Sequence, residues 1–227
     1  MKDIDILKEA VCFLKKRGVE YGEVRKDVRS AESITVEKQH ASNITSSIAS
    51  GMGIRVLHKG AWGFAATPQI TVPSLISTAQ KAIEYAKTAS VLSKKKIRLP
   101  ERSPVRDCYH SGFIIDPFNI PVSQKLAHLF KAESHLLGSN LIAHTKATLF
   151  FEKTEKIFLD TYGSIIEQYF MESGAGLEVT ALHHGEPQKR SFPTSHEGHI
   201  CQAGYEAILE MNLEECAKKI KKEVLLL

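Results

Sequence analysis

Ten histidines in 227 residues make a metal site the first chemistry to consider. The densest group reads S-H-E-G-H, in which Glu197 lies between His196 and His199, and Cys201 follows two residues later. In a zinc-binding H-E-x-x-H helix the two histidines are four residues apart and share one face. Here they are three residues apart, and a nearby proline and glycine favour a loop. His196, His199 and Cys201 are therefore candidate metal ligands, but an exposed loop is the preferred interpretation and we expect no tight zinc site.

A second candidate chemistry is a thiol nucleophile, because Cys108-Tyr109-His110 places a cysteine two residues before a histidine. Catalytic partners are neighbours in space rather than in sequence, so this pair alone carries little weight. The sequence contains no G-x-S-x-G element, Walker loop or dinucleotide fingerprint. Its clustered glycines also lack the strand-to-helix setting that phosphate binding requires. Local motifs therefore assign no catalytic residue.

The residues from Glu20 to Pro68 predict an antiparallel sheet. Apolar side chains there alternate with charged or hydroxyl side chains, and this period of two places one face inward. The positions expected to face inward are Val24, Val28, Ile34, Val36, Ile44, Ile48, Met52, Ile54, Val56, Trp62, Phe64 and Ala66. Turn residues at Ser30–Glu32, His40–Asn43, Ser50–Gly51 and Lys59–Gly60 predict that the strands are short.

Helical periodicity flanks this sheet and recurs later in the chain. Residues 3–17 and 71–93 each carry an apolar stripe at helical spacing, and the second stripe consists mainly of alanines. Residues 1–93 thus predict a helix–antiparallel sheet–helix subdomain, residues 94–120 a basic, proline-containing linker, and residues 121–227 a helix–sheet–helix subdomain. The predicted fold class is α+β, with antiparallel sheets covered by helices.

Composition and charge argue against several classes of protein. With 43% hydrophobic and 25% charged residues, the chain has an ordinary globular composition. The net charge of +4 is concentrated in residues 94–106, where six basic residues and one acid give 6 − 1 = +5. A solvated basic loop is therefore favoured over direct nucleic-acid binding. No run of 18 apolar residues predicts a membrane span, and four scattered cysteines predict free thiols and a cytoplasmic location.

Several stretches resemble the N-terminal domain of the TldD/PmbA family. The clearest is Gly51–Thr67, which reads G-M-G-I-R-V-L-H-K-G-A-W-G-F-A-A-T. The other matching stretches are Tyr21–Arg25, Ile34–Lys38, Asp116–Leu129, Thr161–Gln168 and Gly204–Ile208. Proteins of this family are often labelled modulators of DNA gyrase and are zinc metallopeptidases or their non-catalytic partners. The resemblance covers nearly the whole chain and implies a TldD/PmbA-like N-terminal fold.

The resemblance also implies where zinc belongs. Catalytic TldD-type proteins resemble one another in an H-E-x-x-x-H helix and a further cysteine in a C-terminal domain, where two histidines hold zinc and the glutamate activates water. That motif would follow the helix expected at Tyr205–Val224, where this sequence stops. We therefore expect a domain separated from the catalytic half by truncation, a split gene or the choice of expressed segment. It is expected to hold no cofactor and to be inactive alone.

By the same resemblance, the domain frames a peptide channel and a dimer interface in a metallopeptidase that degrades peptides or unfolded proteins. The implied partners are an extended peptide and a TldD/PmbA-like protein, in a homodimer or heterodimer, with no nucleic acid bound directly and no membrane. Candidate peptide contacts are Gly51, Gly53, Arg55, Trp62, Gly63 and Phe64. Two alternatives stay open. They are a stand-alone, non-catalytic peptide-binding or regulatory module, and an independent hydrolase that uses His196, His199 or Cys201.

Overall fold

The computed structural model describes residues 3–100, 102–194 and 198–226. The helices in these ranges are α1 (Asp3–Lys16), α2 (Val72–Leu92), α3 (Val122–Ser134), α4 (Glu206–Glu210) and α5 (Leu213–Leu225), with a short 3-10 helix at Pro117–Asn119. The strands are β1 (Tyr21–Glu37), β2 (His40–His58), β3 (Ala61–Thr67), β4 (Arg106–His110), β5 (Ile142–Asp160), β6 (Ile165–His183), β7 (Glu186–Phe192) and β8 (His199–Cys201). None of the described helices is long and apolar enough to cross a membrane.

The described strands form one sheet in the order β3-β2-β1-β5-β6-β4, and β7 and β8 also pair with β6. The pairs β2–β3, β6–β7 and β6–β8 are antiparallel, whereas β4 runs parallel to β6. Helices together with this sheet confirm the predicted α+β class. The sequence does not predict β4, because the strand lies within residues 94–120, where lysines and prolines indicated a linker.

Two strands in the N-terminal half are longer than the sequence predicts. β1 has 17 residues and β2 has 19, so the expected breaks at Ser30–Glu32 and Ser50–Gly51 are wrong. Serine and glycine weaken a strand but do not end one whose neighbours complete the hydrogen-bond ladder. The turn expected at His40–Asn43 instead lies at residues 38–39, which both have positive φ, and the turn at Lys59–Gly60 is confirmed.

The chain divides into two compact units that alternate along the sequence. Unit 1 consists of Met1–Arg29, Ala49–His110 and Thr154–Tyr169, and unit 2 of Ser30–Ile48, Ser111–Lys153 and Phe170–Leu227. This division differs from the sequential subdomains 1–93 and 121–227, because β1, β2, β5 and β6 each pass from one unit into the other. Local patterns detect a strand but not the point at which it leaves one core and enters the next.

Unit 1 is built on the close packing of α2 against β3. A Cβ added to Gly63 would lie 2.0 Å from the carbonyl oxygen of Ala82 and 2.4 Å from the backbone nitrogen of Ala86, so the two backbones are in contact. The small-residue stripe of α2 permits this approach, as the sequence predicts. Apolar side chains of α1, α2 and the sheet complete the core, among them Leu7, Leu14, Val24, Met52, Ile54, Val56 and Leu75.

The face of β3 that packs against the core is the opposite of the face that the sequence predicts. Gly63 and Ala65 are buried, whereas Phe64 is 60% exposed. The prediction that Trp62, Phe64 and Ala66 face inward is therefore wrong. Alternation does not decide which of two sets of residues faces inward, and the set with the aromatic residues was expected to be buried. The close contact with α2 reverses that choice, because only small residues fit beneath the helix.

Unit 2 has its own apolar core, which contains two buried polar centres. Lys125 is fully buried, forms an ion pair with Glu32 and has its Nζ atom 4.8 Å from the ring centroid of Phe151. Glu133 is also fully buried and accepts the backbone N–H of Gln39 at 2.7 Å. The first pair compensates a buried charge with its counter-ion, and the second fixes the turn between β1 and β2.

The first half of β2 is exposed. Ile44 and Ile48, which were expected to face inward, are 49% and 77% exposed, so that expectation is wrong. β3 pairs only with the segment Met52–His58 of β2. The earlier residues of β2 thus belong to an outer strand, where alternation of side chains does not by itself imply a covering core.

The helix predicted over Tyr205–Val224 is two helices, α4 and α5. Asn212 separates them in the left-handed conformation, with φ 45°. Asparagine is one of the few residues besides glycine that adopts this conformation readily. Leu213, Ile220 and Val224 are buried on α5, so helical apolar periodicity continues beyond the break.

Candidate functional site

Unit 1 presents a sheet face on the side away from α2, which we call the open face. Because Gly63 points toward α2, its neighbours Trp62 and Phe64 point the other way. The open face consists of Tyr21, Glu23, Arg25, Arg55, Trp62, Phe64, Phe158 and the loop residue Arg102. Hollows of ≈ 210, ≈ 350 and ≈ 530 Å³ lie along it, and Arg25 lines all three. Arg25 therefore borders every one of these hollows.

A buried carboxylate holds two arginines in place on the open face. Glu23 is 4% exposed and accepts the Tyr21 hydroxyl at 2.7 Å. Arg25 and Arg55 each donate to Glu23 at 3.1 Å. A buried carboxylate is unfavourable unless charge and hydrogen bonds compensate it, and the two guanidinium groups supply both. Since the arginine side chains are 56% and 45% exposed, their outer N–H groups stay accessible to a ligand.

Arg102 borders the same face and ties a loop to it. One guanidinium nitrogen donates to Asp160 at 2.7 Å and to the Tyr21 hydroxyl oxygen at 2.7 Å. Asp160 is 1% exposed and also accepts the backbone N–H groups of Gly163 and Ser164, both at 2.9 Å. The basic segment that the sequence describes as a solvated loop is thus anchored through one of its arginines.

The Tyr21 phenol acts on the open face as a hydrogen-bond donor. Burial and the adjacent Glu23 carboxylate raise the pKa of Tyr21 well above its usual range, although the Arg102 charge opposes this rise. The phenol is therefore protonated at neutral pH. It donates to Glu23 and accepts from Arg102, so it positions both charged groups rather than acting as a base.

Aromatic rings and guanidinium groups pack against one another along the open face. Tyr21 and Trp62 meet edge to face, with ring centroids 5.9 Å apart and 87° between the planes. The Arg55 guanidinium lies 4.4 Å from the Trp62 centroid, and the Arg25 guanidinium lies 5.3 Å from the Phe158 centroid. Such cation–π contacts orient both partners. They create flat apolar surfaces that are bordered by N–H donors.

Phe64 adds an exposed ring beside this cluster, and a glycine makes room for it. A Cβ added to Gly53 would lie 3.0 Å from the Cε2 atom of Phe64. The ring therefore lies over the β2 backbone at a position where a larger residue would displace it. Gly51 and Gly53 line the hollow of ≈ 530 Å³ next to Phe64.

These groups together suit a ligand with an extended backbone and apolar side chains. Guanidinium N–H groups donate to carbonyl or carboxylate oxygens, and exposed rings bind apolar side chains. The three arginines outweigh Glu23 and Asp160, which leaves 3 − 2 = +1 on these five groups. β3 is the end strand of the sheet on this side, and an end strand offers backbone groups to an added strand.

Comparison with known proteins identifies this fold. Residues 22–86, which include most of the open face, match the family model described as PmbA/TldA metallopeptidase domain 1. Over these residues the chain has the sequence of a TldD/PmbA-family N-terminal domain. The resemblance that the sequence motifs carry is thereby confirmed.

Relatives of this TldD/PmbA domain are distant in sequence and longer than this chain. A protein named as a metalloprotease from Methanocaldococcus jannaschii is 23% identical over 150 residues, which are 65% of this chain and 33% of that protein. The structure of a Thermotoga maritima MSB8 protein described as a modulator of a DNA gyrase has a TM-score of 0.73 at 15% identity and matches 99% of this chain and 48% of that one. TldE from Thermococcus kodakarensis has a TM-score of 0.68 at 14% identity, over 97% and 47%. The matched segments of this chain span about a third of the length of these curated relatives.

Most of the candidate peptide contacts of the TldD/PmbA domain lie together. Five of the six line the open face or its hollows, namely Gly51, Gly53, Arg55, Trp62 and Phe64. Gly63 instead faces the backbone of α2, where it permits helix packing. A role of the other five residues in peptide binding stays a prediction.

Sequence reasoning missed Tyr21, Glu23, Arg25 and Arg102. Alternation could have found the first three, because Val24 was assigned to the core and its neighbours must point the other way. No local signal identifies Arg102, since its partner Asp160 lies 58 residues further along the chain. Contacts at such separations are set by the fold.

Two of the three candidate zinc ligands, His199 and Cys201, lie within the described residues. His196 lies outside the described residues, and His199 is exposed on β8. The Cys201 thiol lies 3.6 Å from the carbonyl oxygen of Ser173, and burial raises the pKa of that thiol, which disfavours the thiolate that zinc binds. Across residues 3–100, 102–194 and 198–226, no group of three or more His, Cys, Asp and Glu side chains could hold a metal ion. These described residues therefore do not fit zinc.

Proposed function

We propose that this domain holds an extended peptide segment for a TldD/PmbA-like metallopeptidase and lines the path by which the segment reaches the zinc site. The observation that carries the proposal is the open face, where Trp62 and Phe64 project from the end strand β3 beside guanidinium groups fixed by Glu23. Membership of the family supports proteolysis of peptides or unfolded proteins as the reaction. The open face supports binding, rather than bond cleavage, as the role of this chain.

The peptide is proposed to lie beside β3 as an added strand. Backbone groups on the outer edge of β3 would bond to the peptide backbone, which makes binding largely independent of peptide sequence. Peptide side chains on the same side would contact Trp62 and Phe64, while Arg55 would donate to peptide oxygen atoms. A folded protein offers few free backbone groups, so this mode selects unfolded segments.

The zinc site of such an enzyme would come from a further region or from a partner. The described residues do not fit zinc, and the matched part of this chain covers about a third of the relatives named as metalloproteases. We therefore propose a homodimer or heterodimer with a TldD/PmbA-like protein, in which zinc activates the attacking water. The four cysteines are free thiols, a state that suits the cytoplasm as the compartment.

Fluorescence of Trp62 tests the binding proposal. Trp62 is the only tryptophan of the sequence, so its emission reports on the open face directly. Titration with a short, unstructured peptide that has blocked termini should give a saturable change in emission. Phe64→Ala should weaken binding about tenfold, because truncation of an exposed aromatic contact costs on the order of 1–2 kcal/mol.

The matched control is Tyr85→Ala, which removes a ring that is 56% exposed on α2 in the same unit. Its peptide affinity should equal that of the unmodified chain. Equal affinity in Phe64→Ala would contradict binding at the open face. Chelator-sensitive cleavage of the peptide by this chain alone would contradict the proposed division between binding and catalysis.

A further inference from the structure

A cysteine–histidine pair lies on β4 of unit 1. Strand geometry places Cys108 and His110 on the same side of β4. The Sγ atom of Cys108 lies 3.2 Å from the Nε2 atom of His110. Both residues are exposed, so the pair is open to solutes. The thiol is within hydrogen-bond reach of a group that can accept its proton, which is the arrangement of an activated nucleophile.

The neighbouring strand orients the histidine. The parallel register places His110 beside Tyr169 and Cys108 beside Glu167. The rings of His110 and Tyr169 stack with centroids 4.4 Å apart and an interplanar angle of 8°. This stacking fixes the plane of the imidazole and holds Nε2 toward the thiol.

The pair lies on the opposite side of the sheet from the open face. Ile166 and Gln168 line a hollow of the open face. Because side chains alternate along β6, Glu167 and Tyr169 point the other way, and the paired Cys108 points with them. The chemistry of this thiol is therefore independent of peptide binding at the open face.

We propose that Cys108 is a redox-sensitive thiol that His110 activates for exchange with low-molecular-weight disulfides, of which glutathione disulfide is the example. Nε2 of His110 takes the proton from Sγ, and the thiolate attacks one sulfur of the disulfide. The S–S bond of the small molecule breaks, and its departing thiolate leaves as a thiol after taking a proton. Cys108 is oxidised to a mixed disulfide while the small disulfide is reduced to one thiol.

Some of the charged groups around the Cys108 thiol favour the thiolate, and others oppose it. Protonated His110 and Arg106, two residues before Cys108 on the same side of β4, favour the thiolate. Glu167 faces Cys108 across the register and opposes it. Asp107 accepts the backbone N–H of Cys108 at 2.8 Å and points to the other side of β4. His110 contacts the thiol directly, so its removal should change the reactivity of Cys108 most.

The test compares rates of mixed-disulfide formation at individual cysteines of the full chain. Cys12 is also exposed, on α1, and serves as the internal control. After incubation with glutathione disulfide and quenching, mass spectrometry of peptides gives each rate. Cys108 should react about tenfold faster than Cys12 at neutral pH, and the ratio should be smaller in alkaline solution.

Two variants distinguish activation of Cys108 by His110 from simple exposure of the thiol. His110→Gln should lower the rate at Cys108 about tenfold at neutral pH and leave the rate at alkaline pH unchanged. His40→Gln makes the same substitution at an exposed histidine of β2 and should leave the rate at Cys108 unchanged. Equal rates at Cys108 and Cys12 across the pH range would overturn the proposal, and so would an unchanged neutral rate in His110→Gln. The first of these results needs no variant, so it stands even if His110→Gln fails to fold.

Discussion

Arg102 and Asp160 are 2.7 Å apart, and this pair joins a basic loop to the turn between β5 and β6. Asp160 is buried and accepts two backbone N–H groups of that turn as well. The contact turns an irregular basic segment into a fixed border of the open face. The open face of unit 1 thus depends on an ion pair between residues that are 58 positions apart in the sequence.

Asp160→Asn should destabilise the domain by about 1–3 kcal/mol. The substitution removes the counter-ion of Arg102 and weakens the acceptor of the two backbone N–H groups in the turn. The loss should not exceed this range, because the Arg102 side chain is 49% exposed and solvent screens part of its attraction to Asp160. Urea denaturation measures the change. Asp5→Asn, which disrupts an exposed pair with Lys8 at 3.5 Å, is the control and should cost less than about 0.5 kcal/mol.

Gly63→Ala should destabilise the domain by about 3 kcal/mol or more, at the upper end of the cost of overpacking. The added methyl group would meet the backbone of α2 at 2.0 Å and 2.4 Å, and a helix backbone cannot move aside as a flexible side chain can. Gly51→Ala is the matched control, since its methyl group would lie 3.5 Å from the carbonyl oxygen of Thr67, an ordinary contact. Equal thermal stability of the two variants would show that α2 and β3 are less closely packed than described.

Lys125→Met should destabilise the domain by about 3–5 kcal/mol, because Glu32 is then left buried without a counter-ion. Lys125 is fully buried and Glu32 is 8% exposed, so solvent screens the pair little. The double variant Lys125→Met/Glu32→Leu should recover most of the loss, because apolar replacement of a buried pair is often neutral. A double-mutant cycle by chemical denaturation gives the coupling. A double variant no more stable than Lys125→Met would contradict this account.

Glu206 should make the stability of the domain depend on pH below neutrality. Desolvation alone would raise the pKa of this carboxyl, but hydrogen bonds from the backbone N–H groups of Gly204, Ile115 and Ile114, at 2.8, 2.9 and 3.0 Å, outweigh it and lower the pKa below the ordinary 4.5. Because folding lowers this pKa, the ionised carboxylate stabilises the domain at pH values above the pKa of Glu206 in the unfolded chain. That stabilisation is lost as the pH falls through the pKa of Glu206 in the folded chain.

Glu206→Gln should therefore be less stable than the unmodified chain by about 1–2 kcal/mol at pH near 7. The difference should close as the solution is acidified below the folded pKa of the glutamate. Denaturation of both proteins at a series of pH values measures it. A constant difference at all pH values would mean that the charge of Glu206 contributes nothing.

The elements of unit 1 that local chemistry controls are predicted well from the sequence. α2 begins after Thr71, whose side chain accepts the N–H of Ser74 at 3.4 Å, and a proline lies in its first turn. The turn at Lys59–Gly60 has positive φ at both residues, as a break with glycine indicates. Caps, turns and apolar stripes depend on neighbours in sequence, which is why these elements could be recognised.

The parts that could not be predicted depend on contacts between distant segments. The inward face of β3 is decided by how closely α2 approaches Gly63, and alternation alone allows either face. Arg102 belongs to the candidate site only because Asp160 is folded against it. The exposed position of Ile44 could not be predicted either, because alternation does not show whether another layer covers that face of β2.

Amide hydrogen exchange with and without a bound unstructured peptide tests the central claim most directly. Exchange should slow at the amides of β3 that do not bond to β2, between Ala61 and Thr67, because the added strand bonds to them. Exchange in α5, which belongs to unit 2, should stay unchanged. Uniform exchange along the chain, or protection confined to the exposed stretch of β2 from His40 to Ile48, would contradict peptide binding at the open face.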